Sequence, residues 1–272
     1  MPPTEVNCTA EASWLTNALT AIENPTQLDR QATIKSCVDL VSWLRADTCY
    51  QNAGANIGWR DRVSGALFEQ ASGTYPTAQT ISNLNSEPAL VYASGGAVLT
   101  DNGANLFPNG NVNFSIVFVG EAQSGGFQGF VSDGGTSSTG TILLQSSGNV
   151  PSFYMGGSNR LTGMPTLTNG QPWLGIISFQ YGAGSTGDIK ARVNGGVYTC
   201  EASGLNVAPV NDTLTIAGYS GGVPLSGCTI AEVMIFKGAI LHGNYLTNTY
   251  LNWSNEALYQ VIEDYMNARY AL

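Results

Sequence analysis

Few residues in this sequence have types and spacing suited to chemistry. A single histidine is present, His242 in "ILHGNY". Without a second His it cannot form an HxxxH or HExxH zinc site, and no local partner completes a nucleophile–base–acid triad. It reads as a surface or turn histidine. Glycoside hydrolysis needs two carboxylates facing one another, often from alternate positions of one strand. No Asp or Glu lies two residues from another. Glu263 and Asp264 are adjacent on an expected helix, where they diverge by about 100°. Glu232, inside "CTIAEVMIF", could face Glu201 across strands, but nothing selects that pair. The Gly-rich "SGGFQG" and "SDGGTSSTG" read as strand connections, since no helix follows them to present its N-terminus to a phosphate. No catalytic residue is assigned, and the chain reads as a non-enzyme.

Binding chemistry is better represented. "TDNGAN" (100–105) and "SDGG" (132–135) offer Asp101, Asn102 and Asp133 as oxygen ligands suited to calcium, although Asx-turns explain the same residues without an ion. Of five cysteines, Cys200 and Cys228 bracket the last strands and can bridge if their Cα atoms lie within about 7 Å. Buried free thiols are the alternative. No cofactor other than calcium is suggested.

The elements that must position these residues are mostly strands. Only 11% of residues are charged and 33 are Gly, the usage of many short strands joined by turns. β-branched or aromatic runs fall at "NFSIVFVG" (113–120), "GTILLQSS" (140–147), "PSFYMGG" (151–157), "PWLGIISFQY" (172–181), "DIKARVNGGVYTCEA" (188–202), "DTLTIAGYS" (212–220) and "CTIAEVMIFKG" (228–238). Such spacing without intervening helices predicts a sandwich or barrel. Asn194-Gly195 between two alternating runs predicts a type I′ hairpin. Helical spacing appears at the two ends. Trp14, Leu15, Leu19 and Ile22 form an apolar stripe in an N-terminal helical arm (1–36), with a weaker helical piece from Thr26 to Lys35. Leu258, Val261, Ile262, Tyr265 and Met266 do the same in a C-terminal helix (255–270).

A net charge of −9 with only Lys35, Lys190 and Lys237 as lysines disfavours nucleic acid as a partner. No apolar run reaches the roughly 18 residues of a membrane span, and no signal peptide is written at the N-terminus.

Five segments in order resemble a known family. They are "LVSWLRADT" (40–48) with "GWRDRVSG" (58–65), "NLNSEPALVYASGGAVLT" (83–100) with "NFSIVFVG", "PWLGIISFQY" with "KARVNGG", "LSGCTIAEVMIF", and "VIEDYMNARYA". Together they resemble the laminin-G-like, concanavalin-A-like jelly roll of tailed-bacteriophage structural proteins, over about 37–271. The resemblance implies an all-β, two-sheet antiparallel sandwich (37–272). Trp43 and Trp59 are expected to pack in or at the edge of it, and Asp61 and Arg62 to fix a turn. It further implies a virion structural protein, a capsid decoration or head/tail surface protein. Such a protein is made in the host cytoplasm and binds the major capsid protein or another virion protein as a homo-oligomer through its arm and sandwich surface. The alternative is a carbohydrate-binding receptor-recognition module, in which Tyr75, Tyr154, Tyr181 and Tyr219 stack on a cell-surface glycan.

Overall fold

The computed structural model describes residues 25–52, 56–72, 74–94, 98–123, 128–133, 141–145, 148–161, 163–181, 187–199, 209, 213–219, 223–224, 227–242 and 258–272. The strands in the first half are β1 (Leu40–Arg45), β2 (Cys49–Asn52), β3 (Asn56–Arg60), β4 (Leu67–Ser72), β5 (Thr77–Ile81), β6 (Glu87–Tyr92), β7 (Val98–Thr100), β8 (Phe114–Glu121) and β9 (Gln128–Ser132). There follow β10 (Thr141–Gln145), β11 (Pro151–Met155), β12 (Ser158–Asn159), β13 (Pro172–Gln180), β14 (Asp188–Val193), β15 (Gly196–Thr199), β16 (Thr215–Ile216), β17 (Gly218–Tyr219), β18 (Val223–Pro224) and β19 (Cys228–Phe236). Two α-helices, α1 (Pro25–Lys35) and α2 (Leu258–Tyr270), and two single 3-10 turns, Ala46–Thr48 and Ser82–Leu84, complete the regular structure of the described residues.

The strands form an antiparallel sandwich. One sheet runs β15-β14-β13-β8-β19-β6-β5, with β1 also pairing to β19, and the other runs β12-β11-β10-β9-β16-β7-β4-β3-β2. The expected jelly-roll architecture is therefore what forms. In β8, Phe114, Ile116 and Phe118 face the inter-sheet core, while Val117 and Val119 face the opposite way into a second core. The strand is largely apolar on both faces because both faces are covered, which is why its sequence reads as an apolar run broken only by Ser115. The inter-sheet core centres on Phe118, Phe130 and Trp173, with ring centroids 4.4 to 5.5 Å apart. The second core lies between the outer face of the eight-stranded sheet and the two helices, so the molecule has three layers.

β19 is buried along its whole length, and its alternation changes phase once. Cys228, Ile230, Val233 and Ile235 face the inter-sheet core, and Ala231, Met234 and Phe236 face the helices. The change falls where the pairing with β8 slips between Ile230 and Glu232. One extra residue in a strand unpairs the ladder locally and re-aims the side chains beside it. Without this bulge Glu232 would share the phase of Ile230 and enter the apolar inter-sheet core. With it, the carboxylate reaches the helical layer. Gly120 sits opposite Ile230, where a Cβ would overlap the Thr229 carbonyl oxygen and the Phe118 ring.

α2 buries Leu258, Val261, Ile262, Tyr265, Met266 and Tyr270, matching the apolar stripe read from the sequence. α1 packs against it through buried Ile34 and an Arg30–Asp264 ion pair at 2.9 Å. Residues 25–35, placed by sequence in the arm, thus belong to the helical layer. The arm residues Trp14, Leu15, Leu19 and Ile22 lie outside the described residues.

The Cys200–Cys228 bridge is not made: Cys228 is a free thiol. Thr199, which precedes Cys200, ends β15, four strand spacings from β19 in the sheet, or roughly 19 Å. Cys228 instead points between the sheets, with Sγ 3.6 Å from the Gly129 carbonyl oxygen, and burial pushes its thiol pKa up. Cys49, by contrast, is disulfide-bonded.

Candidate functional site

Three polar assemblies decide what this molecule can do, and the first surrounds Glu232. Its carboxylate is fully buried. It accepts the Trp43 indole N–H at 2.5 Å, the Tyr270 hydroxyl at 2.6 Å and the Tyr265 hydroxyl at 3.2 Å. Arg269 Nε stands 3.9 Å away, while its Nη2 reaches Glu87 at 2.5 Å and Asp47 at 3.3 Å. Arg45 holds Asp47 through its guanidinium. Burial alone would raise the Asp47 carboxyl, but the Arg45 charge overrides it and holds the group at about 2. Burial, and then the Glu232 carboxylate, push both tyrosine hydroxyls up, so they remain donors. An acid–base catalyst must reach the proton it transfers. Glu232 is walled in by its own donors, so the assembly ties α2 to the sheet.

The neighbouring turn explains the segment "GWRDRVSG". Asp61 accepts the Trp43 N–H at 2.5 Å, the Ser42 hydroxyl at 3.0 Å and the Ser64 N–H at 2.7 Å, and Gly65 takes φ +75° to close the turn. Trp43 and Trp59 are buried, and the Arg62 guanidinium lies 4.5 Å from the Trp43 ring centroid.

The second assembly corrects the reading of His242. It lies in the turn after β19, but its side chain is only 2% exposed. Nδ1 is 3.4 Å from Ser178 Oγ, and Nε2 is 3.2 Å from Asp188 Oδ2 without a well-aligned hydrogen bond. These are the residue types of a triad. Ser178, however, is fully buried. Its hydroxyl accepts the Leu241 N–H at 3.2 Å and bonds Ser115 Oγ at 2.9 Å, while Ser115 Oγ accepts the Ile240 N–H and donates to the Gly238 carbonyl. The two serines thus cap the 238–241 turn, and neither is open to attack a substrate.

Burial, followed by Lys190, lowers the His242 pKa, and Asp188 opposes only part of this. The folded state therefore favours the neutral ring. Its contribution is complete above the unfolded pKa of about 6.5 and is lost as pH falls through the lower folded value. Thermal melts of wild type and His242→Gln should accordingly converge on going from about pH 7.5 to pH 5. A wild-type advantage that grows on acidification would reverse the assigned sign.

The residues proposed for ligands are dispersed. Tyr181 is half-buried against Phe179, and its N–H donates to Asn113 Oδ1 at 2.8 Å, so it closes the core edge. Half-buried Tyr154 lies on β11 opposite Ile142 and Asn159. Tyr75, also half-buried, precedes β5. Tyr219 lies on β17, with its side chain outside the described residues. They occupy separate elements of the sandwich.

Asp101 is buried, and its Oδ2 accepts the Leu106 and Leu214 N–H groups at 2.8 and 3.0 Å. Its Oδ1 is buried without a partner. Asp133 accepts the Thr141 N–H at 3.0 Å, and Asn102 donates to Glu69 at 3.3 Å. Among the described residues no group of three His, Cys, Asp or Glu is placed to hold a metal ion.

The third assembly was not foreseen from sequence. Pro165, Thr166, Leu167, Thr168, Gln171 and Pro172 on one side, with Val193, Asn194 and Gly196 on the other, line a groove of about 270 Å³. Leu167 and Val193 are buried, whereas Thr166, Thr168, Gln171 and Asn194 are exposed. No lining residue is charged. The hairpin wall is the one that Asn194-Gly195 predicted, and these residues take φ +47° and +77° as a type I′ turn requires. Asn194 also caps β13: its Oδ1 accepts the Leu174 N–H at 2.8 Å and its own N–H donates to the Leu174 carbonyl at 3.0 Å. Its side-chain NH₂ is left at the surface.

No known protein family matches the sequence, and no curated protein matches it. Solved structures do share its fold. A GH54 α-L-arabinofuranosidase aligns at 12% identity with TM-score 0.52, over 85% of this chain and 59% of that one. Trypanosoma rangeli sialidase in complex with sialic acid aligns at 13% identity with TM-score 0.51, over 92% and 39%. The botulinum neurotoxin serotype D binding domain aligns at 11% with TM-score 0.49, over 74% and 49%. The chain thus spans only about 39% to 59% of these structures. At such identities the likeness to the arabinofuranosidase and the sialidase establishes the β-sandwich fold alone.

Proposed function

We propose that this chain is a carbohydrate-recognition module that performs no chemistry of its own. The observation that carries this reading is the contrast between its polar assemblies. Those with acid–base residues, around Glu232 and Ser178–His242, spend their polar groups internally. The groove between the 165–172 loop and the hairpin instead presents amides and hydroxyls to solvent. Loops on a rigid sandwich are where such folds commonly bind. The architecture is also one that sugar-acting proteins use, as in the aligned arabinofuranosidase and sialidase.

The motif resemblance favours a second reading, in which the partner is a virion lattice, a major capsid protein or another virion protein, bound by a homo-oligomer. An oligosaccharide array, chromatography of the bound sugars and co-sedimentation with phage capsids separate the two. The first reading expects array signals and recovery of the sugars uncut. A blank array with capsid binding would replace it by the second, and released fragments would make the protein a hydrolase.

A further inference from the structure

We infer that the groove between the 165–172 loop and the Asn194-Gly195 hairpin is a preformed subsite for an uncharged sugar; this rests on the carbohydrate-recognition reading and adds the place and the ligand class. The first ground is rigidity. Pro165 and Pro172 fix φ at the two ends of the loop. Between them, Leu167 N–H donates to the Asn149 carbonyl at 2.8 Å, Gly170 N–H to the Ala122 carbonyl at 2.6 Å, and Gln171 N–H to the Thr168 carbonyl at 3.1 Å. The Gln171 carbonyl in turn accepts the Ala122 N–H at 3.0 Å. The facing hairpin is held by the paired Asn194–Leu174 bonds and by Arg192, which donates to the Gly195 carbonyl at 3.0 Å. Walls ordered before binding lose little entropy when a ligand arrives.

The second ground is what the walls leave unspent. Once its Oδ1 is committed to Leu174, Asn194 offers only its NH₂, a donor. Gln171 offers both an acceptor and donors, and the exposed hydroxyls of Thr166 and Thr168 can do either. That set matches vicinal sugar hydroxyls, which donate and accept at once. The third ground is charge. Nearby Arg192 is bound to Glu263 at 2.6 and 2.9 Å and does not line the groove. An acidic sugar would bring a carboxylate with no cation to meet it. At about 270 Å³, near the lower bound of roughly 300 Å³ for ligand pockets, the space suits a sugar residue or two.

Asn194→Asp keeps the acceptor that caps Leu174 and the left-handed backbone, but replaces the donor by a carboxylate. Gln171→Ala removes an exposed side chain. The probe is an array of neutral hexose and N-acetylhexosamine oligosaccharides beside sialylated ones, with titration of the tightest neutral one. Each variant should bind that sugar about tenfold more weakly, with its melting temperature unchanged. Neutral-sugar binding that both variants retain in full would overturn the subsite while leaving carbohydrate recognition standing, and preference for sialylated sugars would overturn the ligand class. A blank array would remove the recognition reading itself, and the subsite with it.

Discussion

Replacing Arg269 by alanine is expected to lower stability by about 3–5 kcal/mol, the usual cost of breaking a buried ion pair from one side. The guanidinium is 10% exposed and sits among Glu87, Asp47 and Glu232 at 2.5, 3.3 and 3.9 Å. Its loss leaves one buried and two half-buried carboxylates to share Arg45 and the hydroxyls. Urea unfolding should show the fall as a lower midpoint at unchanged slope. Arg269→Lys should recover part of it, since charge returns but the planar fork does not. A loss under about 1 kcal/mol, typical of exposed pairs, would mean that α2 is held by its apolar face alone. The same network sets an acid limit. Asp47, held at about 2, contributes fully above the unfolded value of about 3.9, and its contribution drains away as pH falls from there towards 2. Glu87, raised by burial against the pull of Arg269, works in the opposite sense and partly offsets it.

Gly120→Ala should cost about 2–3 kcal/mol, the upper part of the range of about 1–3 kcal/mol for forcing an extra methyl into a packed interior. Here the obstacle is a backbone carbonyl, that of Thr229, together with the Phe118 ring. β8 cannot retreat from β19 without disturbing the bulge that aims Glu232 outward. Circular dichroism melts of the variant should show the loss, and near-ultraviolet signals from Trp43 should change with it. A variant as stable as wild type would show that the two strands approach less closely at this point.

Much of this fold can be read from local sequence, and what cannot is instructive. The runs at β8, β13 and β19 were legible because long apolar stretches between Gly and Pro clusters leave few alternatives. The hairpin was legible because positive φ at two consecutive positions demands Asn-Gly. The bulge was hidden by the covering of both faces: "CTIAEVMIF" is apolar on each side, so no alternation exists in which a phase change would show. The lone glutamate in that run was weighed only as a carboxylate without a catalytic partner, because the donors that bury it, Trp43 and Tyr270, come from 189 and 38 residues away. His242 lies in a turn as expected, but its burial was hidden for a related reason, since it depends on Ser178 and Asp188 of neighbouring strands. "SGGFQG" was taken as a connection, although Gln128 and Gly129 begin β9. The groove could not be read at all, because neither of its walls is unusual as a sequence and only the sheet register brings them together.

Backbone-amide NMR during titration with a neutral oligosaccharide tests the central claim most directly. Shifts that saturate and concentrate at residues 165–172 and 193–196, with the amides around Glu232 and His242 unmoved and the sugar intact, are the predicted result. Perturbation centred on Glu232 or on Ser178 and His242, or cleavage of the sugar during the titration, would contradict it.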